Sequence, residues 1–238
     1  MLNLAFLLDV DNTLLDNDRF SADLDARLRE DFGEPERLRY RDIYQRLRDQ
    51  IGYADYLGAL QEFRTDVADE AHGRLLLISE FLLDYPFVDR VFPGVRNVVE
   101  HLDTLGTTAI LSDGDIVLQP RKLQRAGLWE LVQGRVIITV HKEQCLGMLQ
   151  RLCPVDHYVF VDDKPKILAA LKEQLGDAST TVFVRQGHYA DEAEVTSESG
   201  IDINIASIAE LAQMERGRFL PRRSSAATGR APIPMEAP

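Results

Sequence analysis

The spacing of apolar positions changes near residue 93. Before it, apart from one apolar run at 4–8, apolar residues recur every three or four positions, which is typical of amphipathic helices. After it, short apolar runs alternate with helical segments, a pattern that predicts βαβ units and a parallel sheet. The sequence therefore predicts an α/β protein in which a long helical section, about 21–92, follows the first strand.

Short apolar runs predict the strands of this sheet. They are 4–8, 107–111, 136–140, 158–161, 181–184 and 201–205. The first, LAFLL, contains no polar residue, which suits a strand that is buried on both faces. The segments 95–105, 118–127, 143–152 and 207–215 are predicted helices between or after these strands.

Helix boundaries can be predicted within the helical section as well. Ser21 is a plausible N-cap for the first helix, and Gly33 followed by Pro35 ends it. A second apolar stripe runs through 40–51 between many arginines. The segment 75–83 is so apolar that we expect it to be the most buried helix of the section.

Composition excludes several classes of protein. The 238 residues suffice for one domain with an insertion, or for two small domains. A formal net charge of −12 argues against a general nucleic-acid binder. No apolar run approaches a membrane span, and no basic segment precedes the first run, so we expect a cytoplasmic protein without a signal peptide. Two cysteines predict reduced thiols, and the composition of 217–238 predicts a flexible tail.

The residues that follow the first strand, DVDNT at 9–13, have three possible explanations. They could form an ordinary Asx-type turn. A calcium loop of the EF-hand type is excluded, because Leu14 and Phe20 stand where it requires Gly and a bidentate Glu. The third possibility is a Mg²⁺-assisted phosphoryl-transfer site, in which one carboxylate attacks and the other acts as acid and base.

The ends of the other predicted strands favour the third explanation. Reactive residues follow four strands: Asp9 and Asp11, Ser112, Lys142, and Asp162 with Asp163. The carboxyl ends of parallel strands share one edge of a sheet, so these residues can converge there. Carboxylates are the ligands that Mg²⁺ prefers, and a lysine, a hydroxyl and a glycine turn can hold a phosphate.

The motifs DVDNTL at 9–14, SDG at 112–114, Lys142 and VDD at 161–163 resemble the four motifs of the haloacid dehalogenase (HAD) superfamily, in the same order. The resemblance covers about residues 4–212. It implies a Rossmann-like, doubly wound parallel core formed by 1–14 and 93–216. It also implies that 15–92 is a helical cap of the C1 type, which closes over the site and selects the substrate.

The resemblance also implies a role for each matching residue. Asp9 would be the nucleophile and Asp11 the acid and base, and Asp11 would also reach the metal through its backbone carbonyl. The phosphate-binding residues would be Ser112, Asp113, Gly114 and Lys142. The Mg²⁺ ligands would be Asp9, Asp11, Asp162 and Asp163. Asn12 stands where many relatives have Gly, and Asn tolerates unusual backbone angles.

Some residues near these motifs allow more than one explanation. Lys142 directly follows a strand and is a better candidate than Lys122, which lies in a predicted helix. Lys164 has no assigned role, and His141 is either a cap contact or a locally bonded side chain. Four residues of the predicted cap could touch substrate, although packing or solvent exposure is the preferred explanation for each of them: Arg41, Tyr53, Tyr56 and Arg64.

The activity that the resemblance favours is that of a Mg²⁺-dependent phosphatase. It would hydrolyse a small phosphorylated metabolite through an aspartyl-phosphate. A haloacid dehalogenase lacks the second carboxylate of the first motif, so Asp11 argues against that activity. A phosphomutase or phosphotransferase of the same superfamily, and a non-catalytic HAD-like binding protein, remain as alternatives.

Overall fold

The computed structural model describes residues 2–68, 71–190 and 200–221. The strands within these ranges are β1 (Leu4–Leu8), β2 (Thr107–Asp113), β3 (Val136–Thr139), β4 (His157–Asp162), β5 (Ser179–Val184) and β6 (Ile203–Ile205). They form one sheet in the order β3-β2-β1-β4-β5-β6, and every neighbouring pair is parallel. The predicted Rossmann-like parallel sheet is confirmed.

Strand β1 lies at the centre of this sheet. Its Leu7 is paired with Ala109 of β2 on one side and with Phe160 of β4 on the other. Side chains alternate between the two faces, so Phe6 packs in one hydrophobic cluster and Leu7 in another. Both faces are covered, which explains why the first apolar run contains no polar residue.

Nine α-helices lie within the described residues. The first four are α1 (Asn17–Phe32), α2 (Glu34–Ile51), α3 (Tyr56–Phe63) and α4 (His72–Asp84). They form a helical insertion between β1 and β2. The remaining helices are α5 (Val95–Leu105), α6 (Leu118–Arg125), α7 (Leu128–Leu131), α8 (Leu146–Leu152) and α9 (Pro165–Leu175). The limits of the cap at 15 and 92 stay a prediction.

The first helix of the insertion begins earlier than predicted. Its N-cap is Asp16, whose Oδ1 accepts a hydrogen bond from the backbone N of Arg19 at 2.9 Å, so the prediction of Ser21 as N-cap was wrong. Asp and Ser are both good N-cap residues, so the sequence alone could not show which of the two begins the helix. The predicted end at Gly33 is confirmed, with φ of 86° there.

Helix α4 is less buried than its composition predicts. Leu75, Ile78 and Leu82 face inward, but Leu76 and Leu77 are 58% and 46% exposed. A helix with apolar residues on all of its faces buries only the face that packs against neighbouring elements. The expectation that this is the most buried helix of the section is therefore wrong.

Several contacts join the insertion to the sheet domain, and two of them involve the ends and side chains of α2. Gly52, which ends α2 with φ of 85°, lies against the ring of His141, and a Cβ atom added there would collide with His141 Cε1. Glycine is therefore required at this position by both its backbone angle and the close approach. The second contact is a 2.5 Å hydrogen bond from Arg48 Nη2 to Tyr189 Oη. His141 therefore contacts the helical insertion, and its Nδ1 also lies 3.8 Å from Glu143 Oε1, so the structure shows both of the arrangements that the sequence left open.

The C-terminal part of the described chain is packed on the sheet. Phe219 is fully buried, and its ring meets that of Phe6 edge to face with 5.0 Å between the ring centres. This packing corrects the prediction that the flexible tail begins at 217. A single aromatic residue among polar ones did not indicate the packing in the sequence. The rest of that predicted tail, 222–238, lies outside the described residues. In the described ranges, no helix has the length and hydropathy to cross a membrane.

Replacing Phe219 should reveal how far the C-terminal segment stabilises the core. Phe219→Ala leaves a cavity against Phe6, so we expect the free energy of unfolding to fall by about 3–5 kcal/mol. Arg218→Ala, at an exposed neighbouring position, is the control and should change it by less than about 0.5 kcal/mol. Urea denaturation measures both. Equal stability of Phe219→Ala and wild type would show that this packing is unimportant.

A second prediction concerns pH and His157 on β4. Burial, assisted by the charge of Lys172, lowers the pKa of His157, so folding favours the neutral ring. The unfolded chain then binds the proton more readily, and stability should fall as the pH drops below about 6.5. His157→Gln, which can still bond to Thr180, should weaken this dependence. Unfolding midpoints from pH 8 to 5 measure it, and parallel curves for the two proteins would refute the assignment.

Candidate functional site

Asp9 follows directly after β1. Its backbone N donates to Val161 O at 2.9 Å, which continues the pairing of β1 with β4 beyond the strand end. The chain then turns sharply, because the backbone N atoms of Thr13, Leu14 and Leu15 all donate to Val10 O. Asp9 is thereby held at the carboxyl edge of the sheet, where its side chain is almost completely buried.

Asn12 makes this turn possible. Its φ of 61° lies in the left-handed region, which Asn tolerates better than most residues. Asn can therefore adopt the backbone angle needed at the position where many relatives have Gly. Its side-chain Oδ1 accepts hydrogen bonds from the backbone N atoms of Asn17 and Asp18 at 3.0 and 3.2 Å. The same residue therefore shapes the turn after Asp9 and satisfies the beginning of α1.

Lys142 lies between two of the predicted carboxylates. Its Nζ donates to Asp9 Oδ1 at 2.6 Å and to Asp162 Oδ2 at 2.7 Å, and all three side chains are buried. Burial opposes the charge of Lys142, but the two carboxylates outweigh it and raise its pKa. Burial also opposes the charge of Asp9, yet Lys142 and Lys164 hold its pKa below the ordinary value. The geometry favours Lys142 over Lys122 as the lysine of the cluster.

Asp163 completes an acidic cluster with Asp9 and Asp162. One oxygen of each of these three carboxylates lies within 4.8 Å of the others. Both oxygens of Asp163 are buried and find no hydrogen-bond partner among the residues that the structure describes. Burial and the charges of Asp162 and Asp9 raise the pKa of Asp163 to about 9. Burying an unpaired carboxylate is costly, so a hard divalent cation fits these three side chains well.

The turn after β2 forms another wall of the site. Ser112 is buried, and its Oγ accepts a hydrogen bond from Gln119 Nε2 at 2.9 Å. Gly114 lies close to the side chain of Gln119 and donates its N–H to Thr139 O at 3.0 Å. Burial raises the pKa of Asp113 to about 6, and one of its oxygens is buried without a partner in the described part of the chain. Asp113 also lines the cavity beside the cluster.

Asp11 lines the same cavity but does not belong to the three-carboxylate cluster. Its carboxylate forms an ion pair with Lys122 of α6, whose Nζ also donates to Asn17 Oδ1 at 2.9 Å. Any contribution of Asp11 to a metal site is therefore left to its backbone carbonyl, as the resemblance implied. Lys122 is only 1% exposed, and its ammonium group also lies near the rings of Phe20 and Phe87.

Gln119 and Lys122 contact predicted site residues, although the sequence prediction gave neither of them a role in the site. They lie three positions apart, on the buried face of α6 together with Leu118 and Leu123. Polar residues on an otherwise apolar helical face are a usable signal, because a buried amide or ammonium group requires a partner. The arginines around Lys122 concealed this signal by suggesting an exposed helix.

A cavity of about 450 Å³ lies between the helical insertion and this edge of the sheet. From the sheet side it is lined by Asp11, Asp113, Asp163 and Lys164. Of the four cap residues considered from the sequence, Arg41, Tyr53 and Tyr56 line the cavity, whereas Arg64 is exposed outside it. Lys164 is half-buried there, and its backbone N donates to Asp162 Oδ1 at 2.8 Å.

The fold and the site together define an α/β protein with an acidic, lysine-bridged site at the carboxyl edge of a parallel sheet, beside a helical insertion. A family model for haloacid dehalogenase-like hydrolases matches residues 4–184. The chain belongs to this family. No match was found among curated proteins.

Several solved structures share this fold. A protein from Burkholderia xenovorans LB400, proposed to be a haloacid dehalogenase-like hydrolase, is 49% identical, with a TM-score of 0.82 over 90% of this chain and 100% of that chain. The L-2-haloacid dehalogenase from Xanthobacter autotrophicus is 17% identical, with a TM-score of 0.58 over 89% of this chain and 97% of its own. A proposed β-phosphoglucomutase from Thermotoga maritima is 17% identical, with a TM-score of 0.58 over 87% and 96%. The last two likenesses show the fold alone.

Divalent-ion binding can be tested through Asp163. If the acidic cluster binds Mg²⁺, the ion should stabilise the protein, by about 2.7 kcal/mol at 100 times its dissociation constant. Asp163→Asn removes a ligand and a buried acid, so it should abolish the Mg²⁺-dependent rise in unfolding temperature without lowering the temperature measured in EDTA. Asp89→Asn, at an exposed position, is the control and should respond like wild type. A full Mg²⁺ response in Asp163→Asn would exclude this site.

Proposed function

We propose that this protein is a Mg²⁺-dependent phosphatase that hydrolyses a small phosphorylated metabolite through an aspartyl-phosphate. The observation that carries the proposal is the arrangement at the strand ends: a buried cluster of three carboxylates held by Lys142, with a fourth carboxylate, Asp11, two residues beyond Asp9. The similar structures include both dehalogenases and a phosphate-processing enzyme, so the activity of this chain has to be chosen between the two. The carboxylates support phosphate chemistry.

The acid and base requirements of the two reactions differ. Displacing a halide from carbon releases a stable anion that requires no proton, whereas cleaving a phosphate monoester releases an alkoxide that does. Asp11 lies beside Asp9 in sequence and lines the cavity, where it is a second carboxylate near the reacting group. Its pairing with Lys122 and the bond of Lys122 to Asn17 keep its side chain in a fixed position.

The proposed reaction has two steps. A carboxylate oxygen of Asp9 attacks phosphorus, the bond from phosphorus to the ester oxygen breaks, and that oxygen takes a proton from Asp11. Asp11 enters this step as the protonated acid, so it is not ion-paired with Lys122 when it acts. Asp11, now a carboxylate, then removes a proton from a water molecule that attacks the phosphorus of the aspartyl-phosphate. Asp9 leaves as a carboxylate, and inorganic phosphate is released. Each proton that Asp11 gives in the first step returns to it in the second.

Other residues of the site hold the transferred group in this proposal. Lys142 offers a positive charge at the carboxylate that attacks, and Ser112 and the backbone near Gly114 offer hydrogen-bond donors. The contact of Gln119 with Ser112 Oγ fixes the orientation of the hydroxyl group. Asp113, close to the cluster, adds a group that can bond to the phosphoryl oxygens when it is protonated or to a water molecule when it is not.

Asp9, Asp162 and Asp163 would hold Mg²⁺, with the backbone carbonyl of Asp11 as a further ligand. Bound there, the ion would neutralise negative charge on the phosphoryl group and on the carboxylate cluster. The fit rests on the two partnerless oxygens of buried Asp163, because no other described group satisfies them.

We also propose that the helical insertion acts as the cap of this enzyme. It forms one wall of the cavity, so its side chains meet the part of a substrate that lies beyond the phosphate. The contacts of Gly52 with His141 and of Arg48 with Tyr189 are the places where opening and closing would change the structure.

The nucleophile can be tested with p-nitrophenyl phosphate. With Mg²⁺, wild-type protein should release p-nitrophenol, EDTA should abolish this release, and added Mg²⁺ should restore it. Asp9→Asn removes the attacking carboxylate, so kcat should fall by about 10³-fold or more. Absorbance at the p-nitrophenol band measures the rate.

Asp89→Asn is the matched control, because it makes the same chemical change at an exposed position far from the cluster in sequence, and its rate should equal that of wild type. Undiminished hydrolysis by Asp9→Asn would remove the nucleophile from the proposal. A protein that binds Mg²⁺ but hydrolyses no phosphate ester would instead indicate a non-catalytic binding protein.

A further inference from the structure

Helix α2 carries five arginines, and Arg48 differs from the other four. Each of the other four forms an ion pair with a carboxylate: Arg37 with Glu34, Arg39 with Glu36, Arg41 with Asp25, and Arg46 with Glu62. Arg48 has no carboxylate within 4.0 Å among the residues that the structure describes. A half-buried guanidinium without a counter-ion is unusual in a chain with a net charge of −12.

The partner that Arg48 does have is neutral. Its Nη2 donates to Tyr189 Oη at 2.5 Å, and the uncharged side chains of Tyr44 and Tyr56 line the same cavity. A guanidinium group has five N–H donors, and this bond uses one of them. The remaining donors can bind an anion in the bidentate manner that arginine favours with carboxylates and phosphates.

Arg48 lines the cavity that contains the acidic site. It shares this cavity with Asp11, Asp163 and Lys164, which lie on the sheet side. Tyr44 and Tyr56 line the same cavity. The ring of Tyr44 is stacked on that of Tyr56, with 4.7 Å between the ring centres, so the two rings form an aromatic surface of the cavity.

Arg41 also lines the cavity, but its position is already determined by protein groups. Its Nε donates to Asp25 at 2.5 Å, and its Nη2 donates to the hydroxyl and carbonyl oxygens of Ser21 at 2.8 and 3.1 Å. A ligand anion would have to compete with Asp25 for this side chain. Arg48 therefore offers the more accessible positive charge for a ligand on the insertion side.

We propose that Arg48 binds a second anionic group of the substrate, so that this enzyme prefers phosphate monoesters carrying a carboxylate or another phosphate at the end away from the scissile bond. The inference rests on the proposed phosphatase function and adds the class of substrate to it. The acidic site holds the phosphate that is cleaved. Arg48 holds the other end of the substrate, in the same cavity as Tyr44 and Tyr56.

Matched substrates test this inference. Glycerol 3-phosphate, 3-phosphoglycerate and glycerol 1,3-bisphosphate differ only in whether the far end is a hydroxyl, a carboxylate or a phosphate. Phenyl phosphate and 4-carboxyphenyl phosphate form a longer pair. Wild-type kcat/KM should be about tenfold or more higher for the anionic member of at least one set, and comparison of the two anionic ends identifies the group that is recognised.

Variants of Arg48 and of Arg46 then locate the preference. Arg48→Gln should lower the ratio of kcat/KM for anionic over neutral substrate by about tenfold or more, mainly through KM, because it removes binding at a distance from the reacting bond. Arg48→Lys keeps the charge but not the bidentate geometry, and it should retain part of the ratio. Arg46→Gln, on the same helix but paired with Glu62 outside the cavity, should keep the wild-type ratio.

Each outcome decides a separate claim. Hydrolysis with the same ratio in wild type and Arg48→Gln overturns the role of Arg48 while the phosphatase activity stands. Hydrolysis with no preference for any anionic substrate overturns the proposed substrate class. Absence of hydrolysis for every ester removes the proposed function and this inference together. Circular dichroism checks folding, and Arg48→Met, which retains the aliphatic part of the side chain, replaces Arg48→Gln if that variant is unfolded.

Discussion

The ion pairs of Lys142 with Asp9 and Asp162 are the interaction on which the site depends. Parallel strands bring their carboxyl ends to one edge, so a chain with acidic residues after two adjacent strands must bury like charges together. Lys142, from the loop after β3, lies between these carboxylates at 2.6 and 2.7 Å. It pairs with two of the three buried carboxyl groups, and the third, Asp163, is left without a partner in the described chain.

This incomplete neutralisation has a consequence for function. A fully satisfied cluster would be a structural ion-pair network, with no reason to bind anything more. Here the burial of Asp163 raises its pKa to about 9, and Asp113 nearby has a pKa of about 6 for the same reason. The raised pKa values mean that these carboxyl groups favour binding a proton or a cation. Groups arranged in this way are typical of catalytic and metal-binding centres.

The insertion supplies the second half of the cavity. Its own ion pairs leave most of its arginines occupied, and the stacked rings of Tyr44 and Tyr56 line the cavity. The core thus provides a site with the chemistry of its family, whereas the insertion provides the shape and the remaining charge. Under the proposed function, this division lets residues 30 or more positions beyond the first motif, such as Tyr44 and Arg48, affect the choice of substrate.

The sequence by itself determined the sheet and most of the site. Apolar runs of four or five residues are too short for helices, so they had to be strands, and a parallel sheet necessarily places Asp9, Ser112, Lys142 and Asp162 at one edge. The catalytic roles of these residues and the choice of Mg²⁺ remain proposals. The resemblance to a known family came from the same residues, because the motifs are those strand ends.

Only the tertiary structure decided the partners of individual side chains. Lys122 is buried against Asp11, and Phe219 is packed on Phe6, although both lie in segments whose composition suggested exposure. Arg48 is identical in type to four neighbouring arginines and differs only in what surrounds it. Periodicity specifies which face of an element a residue occupies, but the contacts on that face depend on elements more than 100 residues away in the chain. Those long-range contacts decide which charges are neutralised and which remain available to a ligand.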